Sequence, residues 1–139
     1  MLQKFNTASL TLMIVAGLAA QPALAETPEQ ILESIQNTAK STPGFKGFSA
    51  ANGEVFFKAK QSNGLSCASC HTENPAATGK HEKTGKVIEP LAPSANAQRF
   101  SDPAKVAKWF KRNCHDVYAR VCTPQEQGDF LAYLLTIKK

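Results

Sequence analysis

Apolar residues recur at helical spacing in four stretches of this chain, separated by breaks rich in glycine and proline. Thr27-Pro28-Glu29-Gln30 precedes Ile31, Leu32, Ile35 and Ala39. That predicts a first helix with Thr27 as N-cap, Pro28 at the first helical position and Gln30 completing a capping box. Pro43-Gly44 should end it. Ala50, Val55, Phe56, Phe57 and Ala59 predict a second helix over roughly Ser49 to Gln61, closed by Asn63-Gly64. An interior glycine costs about 1 kcal/mol relative to alanine, so Gly53 points to close approach of another helix on the side that carries Phe57. Asp102-Pro103 opens a third helix. Val106, Trp109 or Phe110, and Asn113 fall there at i, i+3/i+4 and i+7, which puts Asn113 on the apolar, inward face. Thr123-Pro124-Gln125-Glu126 opens the last helix, whose apolar side is Phe130, Leu131, Tyr133, Leu134 and Ile137. Phe130 and Tyr133 are expected to lie across Gly53 and Phe57.

Between the second and third helices, Thr72 to Ser101 shows no sustained period and holds Pro75, Gly79, Gly85, Pro90 and Pro93. A loop of that length in a compact domain is usually functional, and the segment Val87-Ile88-Glu89-Pro90-Leu91 could wall a pocket. The expected fold is all-α with one long ordered loop. Lys105, Lys108, Lys111 and Arg112 crowd the polar faces of the third helix and read as a solvated surface before a docking patch.

The first 25 residues change the picture of where the chain works. Lys4, the apolar run Leu10 to Ala20 and Ala23-Leu24-Ala25 have the order of a cleaved export signal, which predicts a periplasmic protein. The domain plan is then 1–25 signal peptide, 26–43 N-terminal helix and linker, and 44–139 main domain. The formal charge of +5 falls by one without Lys4, a mildly basic balance that suits an acidic partner and does not point to nucleic acid.

Cys67-Ala68-Ser69-Cys70-His71 is the one stretch with specific chemistry. C-x-x-C-H is the spacing of covalent haem attachment: two thiols form thioethers, and the imidazole binds iron from the proximal side. A redox dithiol would want a strand-turn-helix context, and a zinc site would want a second cysteine pair. Helix, short turn and haem motif together resemble a class I cytochrome c domain. One haem c, held by Cys67, Cys70 and His71, is therefore expected.

The second axial ligand is the open question. Electron-transfer cytochromes c usually use methionine, and the two methionines here, Met1 and Met13, would leave with the signal. His81, His115, a lysine, an oxygen donor or no ligand remain. A histidine there would make a plain electron carrier, the alternative reading of this chain. Asn113 is a polar amide on an apolar stripe, explained either as a helix C-cap or as a ligand.

Trp109-Phe110-Lys111-Arg112-Asn113-Cys114, followed by Cys122-Thr123-Pro124-Gln125-Glu126, resembles the sphaeroides haem protein family. Gly79-Lys80-His81-Glu82-Lys83-Thr84-Gly85-Lys86 and Pro90-Leu91-Ala92-Pro93-Ser94-Ala95-Asn96 are similar to that family's loop. The likeness runs from about Gly44 onward and implies a monohaem, class I-like fold. It implies a Cys114–Cys122 disulfide and Asn113 as the displaceable distal iron ligand, ahead of Asn96, which lacks an adjacent cysteine. It also implies a high-spin haem that binds oxygen or nitric oxide when reduced. Electrons would come from a dihaem cytochrome c and a membrane cytochrome b, and an oxygen- or nitric-oxide-linked oxidoreductase activity is compatible with such a site.

Overall fold

The computed structural model describes residues 25–138, so the expected export signal lies, but for Ala25, outside them. Five helices run in order: α1 Pro28–Ala39, α2 Ala50–Lys58, α3 Cys67–His71, α4 Pro103–Tyr118 and α5 Pro124–Thr136. A two-stranded antiparallel ribbon, β1 Gly79–Lys80 with β2 Val87–Ile88, interrupts the long loop and pairs Gly79 with Ile88. Among the described residues no helix is long and apolar enough to cross a membrane.

Local chemistry sets the helix starts. Thr27 and Gln30 form the reciprocal capping box of α1, and Thr123 and Glu126 form that of α5. Ser49 and Asp102 cap α2 and α4 through their side-chain oxygens. The end of α2 comes earlier than the periodicity suggests, at Lys58 and not Gln61. Ala59 turns extended there, and a turn closes between Gln61 and Gly64.

The core is the crossing of α2 and α5. A Cβ at Gly53 would overlap the backbone carbonyl of Asp129 and come within 2.8 Å of the Tyr133 Cβ. Only the missing side chain lets the two backbones approach this closely. One turn on, Phe57 is fully buried with its ring 6.1 Å from Phe130 and 5.7 Å from Tyr133. Gly128 instead makes room for a side chain, because a Cβ there would strike the ring of Phe48, two residues before α2. Asp129 is buried yet satisfied: its Oδ1 accepts from the Ser49 N–H at 2.7 Å and from Gln125 Nε2 at 2.8 Å. Helix α1 covers the other flank of α5 with Ile31 and Ala39. Leu91 joins the core cluster, whereas Val87 is 70% exposed, so only the far end of the 87–91 segment is wall.

Candidate functional site

Helix α3 is the C-x-x-C-H stretch itself. Ser66, buried just before it, exchanges hydrogen bonds with Ser69, so a five-residue helix is held at its start by its own capping box. Ala68 faces the core, and Cys67, Cys70 and His71 are half-buried around it. Thr72 then takes a positive φ of 61°, uncommon for a β-branched residue, and turns the chain away directly after His71.

The loop is tied to this helix at Cys70. A Cβ at Gly79 would overlap the Cys70 carbonyl, and the Glu82 N–H donates to Cys70 Sγ at 3.4 Å. Further along, the Leu91 and Ala92 N–H groups both donate to the Pro75 carbonyl, at 2.8 and 2.9 Å. Arg99 then clamps the outer turn, with Nε on the Pro90 carbonyl at 3.0 Å and Nη2 on the Glu89 carbonyl at 2.8 Å.

Electrostatics at α3 separate the candidate chemistries. Burial pushes the Cys67 thiol up to about 12. Redox dithiols work through a lowered thiol pKa, so this environment is the opposite of theirs. No three His, Cys, Asp or Glu side chains gather as a zinc site would need, among the described residues. Burial, with the Arg99 guanidinium second, pushes the His71 imidazole down to about 4. A neutral imidazole beside two thiols, all on one short helix, is a donor set that fits covalent haem.

Helix α4 runs past Asn113 to Tyr118, and Ala119, in the left-handed conformation, is the C-cap. The cap explanation for Asn113 is therefore removed. Asn113 sits on the Val106 face of α4, as the spacing predicts, and no other part of the polypeptide covers its side chain or that of Trp109 one turn earlier. The polypeptide covers the Phe110 and Cys114 edge, with the Phe110 ring 5.6 Å from Phe130, and leaves the Trp109–Asn113 edge uncovered. No hydrogen bond engages the Asn113 amide among the described residues.

Cys114 and Cys122, eight residues apart, form a disulfide with Cα atoms 5.7 Å apart, immediately beside Asn113. His115 is two residues from Asn113, about 200° round the helix, exposed and 3.8 Å from Asp116. His81 is a turn residue: its Nδ1 accepts from the N–H groups of Lys83 and Thr84 at 3.2 and 3.3 Å. Asn96 accepts from the Gln98 N–H at 3.1 Å, again as a turn residue.

Three residues that hold the site carry no sequence signal that singles them out. Arg99 is one. The others are Asn63, legible only as a helix breaker, and Tyr118, whose phenol lies beside the Cys67 thiol.

Residues 43–134 match the family described as Domain of unknown function (DUF1924). Cytochrome c'' of Methylophilus methylotrophus is 42% identical over 137 residues, covering 93% of this chain and 95% of that protein. Cytochrome c-type protein SHP of Cereibacter sphaeroides is 39% identical over 128 residues, covering 88% and 95%. Among solved structures, oxidised cytochrome c'' superimposes with a TM-score of 0.72 at 41% identity, over 81% of this chain and 95% of that one. Oxidised SHP, described as an oxygen-binding cytochrome c, gives 0.71 at 37% identity, over 81% and 99%.

Proposed function

The chain belongs to the DUF1924 family, alongside cytochrome c'' and SHP, and carries one covalently attached haem c; from that premise we propose a periplasmic gas-binding cytochrome whose distal ligand is Asn113. Cys67 and Cys70 hold the cofactor covalently, and His71 is the proximal ligand. When bound, the haem supplies an iron that takes one electron at a time and, once reduced, accepts a diatomic gas.

The observation that carries the reading is Asn113: an exposed amide without a hydrogen-bond partner among the described residues, in mid-helix, next to the Cys114–Cys122 disulfide. An amide oxygen is a hard, neutral, weak-field donor, suited to ferric iron and poorly suited to ferrous iron. The same side chain carries an N–H₂ group, which can donate to a diatomic ligand once the oxygen has let go. SHP's description as oxygen-binding supports the choice of gas, and nitric oxide shares the chemistry. Electron donors of the dihaem cytochrome c and membrane cytochrome b type fit a mildly basic, exported carrier.

The ferric absorption spectrum tests this directly. High-spin charge-transfer features are expected, with rapid uptake of carbon monoxide after reduction. Asn113→Ala should alter the ferric axial spectrum while leaving the haem covalently attached. A low-spin spectrum indifferent to carbon monoxide, and unmoved by Asn113→Ala, would put a histidine in that position and return the chain to simple electron transfer.

A further inference from the structure

The last turn of α4 is fastened to α2 and to the segment between α2 and α3 by two side chains, Tyr118 and Asn63. Asn63 Nδ2 donates to the carbonyls of Asp116 at 3.3 Å and Val117 at 3.1 Å. These belong to the last turn of α4, where helix carbonyls have no intrahelical partner. The Oδ1 of the same amide accepts from the Leu65 N–H at 3.0 Å, two residues before Cys67. One side chain thus bridges the lead into the haem motif and the helix that carries Asn113.

Tyr118 makes the reverse connection. Its hydroxyl donates to the Phe56 carbonyl at 2.5 Å, one of the unpartnered carbonyls in the last turn of α2. Its ring stacks on Phe56 with centroids 4.5 Å apart and planes 8° from parallel. Each helix end is therefore capped from the other side of the junction. The fastenings lie three to five residues beyond Asn113, within about one and a half turns.

We propose that Asn63 and Tyr118 are positioning residues that set the reach of Asn113 to the haem iron, and so the ease with which Asn113 gives way to another ligand. The proposal rests on Asn113 being the distal ligand. A weak neutral donor brings little bonding energy with which to order its own helix, so the register of α4 against α3 must be set beforehand by other contacts. Removing one neutral hydrogen bond from such a clamp should shift the balance between bound and released Asn113 by about fivefold.

The test uses the haem-loaded protein and azide as the competing ligand for the ferric state. Asn113→Ala is made first: a changed ferric spectrum establishes the ligand, and an unchanged one overturns that reading and this inference with it. Asn63→Ala and Tyr118→Phe are then expected to move the ferric spectrum part of the way toward that of Asn113→Ala. Tyr118→Phe should tighten azide binding about fivefold, and Asn63→Ala, which removes two hydrogen bonds to α4, by more than that. Thr27→Ala, which removes the α1 cap far from the clamp, should lower thermal stability without moving either readout. If Asn113→Ala moves the spectrum while Asn63→Ala and Tyr118→Phe lower stability only, as Thr27→Ala does, the positioning role is overturned.

Discussion

The α2–α5 crossing and the α3–α4 junction are joined by opposite means. At the crossing, Gly53 lets two backbones meet, and Phe57, Phe130, Tyr133 and Leu134 pack in one buried cluster. At the junction, one side-chain amide and one phenol reach for helix-end carbonyls, a disulfide holds the far side, and no other part of the polypeptide covers Trp109 and Asn113. Close packing tolerates no change of volume and holds a rigid frame. Polar and covalent fastening fixes a position while leaving one face of a helix open for a ligand. On the proposed reading of Asn113, the scaffold separates the part that must not move from the part that would bind and release.

Substitutions on the two sides should therefore fail differently. Phe57→Ala, at a fully buried position, is expected to cost about 3–5 kcal/mol in denaturant unfolding while leaving the ferric spectrum of the surviving folded protein unchanged. A spectral change would mean that the crossing also sets the iron site. Cys114→Ser combined with Cys122→Ser should cost about 2–3 kcal/mol and, in contrast, should speed displacement of Asn113 by azide.

Gly53→Ala gives a smaller loss. Helix propensity gains about 1 kcal/mol. Overlap with the Asp129 carbonyl outweighs that gain, for a net loss of about 1–3 kcal/mol by thermal unfolding. A stabilised Gly53→Ala would show that α2 can slide on α5.

The smallest expected effect concerns pH. Hydrogen bonding from Arg120, with Nη1 at 2.8 Å, is the chief cause holding the Glu126 carboxyl below its ordinary value. A depressed carboxyl stabilises the fold above its unfolded pKa and loses that contribution as pH falls through the folded one. Wild type should thus lose about 0.5–1 kcal/mol more than Glu126→Gln between neutral pH and the acid side of the Glu126 transition, the figure being reduced because the pair is partly exposed to solvent. Parallel stability-against-pH curves for the two proteins would remove the pair from the account of the α4–α5 connection.

Much of the frame was legible in the chain, for a reason visible in particular residues. The caps Thr27–Gln30, Asp102–Lys105 and Thr123–Glu126 act over three residues, so adjacent sequence contains both partners. The spacing of Gly53, Phe57, Phe130 and Tyr133 also anticipated the crossing. The site was legible in part. Cys67-Ala68-Ser69-Cys70-His71 and the lack of any methionine after Met13 can be read directly. The exposure of Asn113 cannot, because helical spacing gives the face of α4 and not what covers that face.

By itself, then, the sequence determined the cofactor motif and the helix starts, since each depends on residues a few positions apart, and it holds no methionine after Met13. The tertiary structure alone decided that α4 continues beyond Asn113. It also decided that Asn63 grips α4 across a separation of 53 residues and that Tyr118 grips α2 across 62. A side-chain amide or phenol can cap any carbonyl that folding brings within about 3 Å, and only folding selects which one.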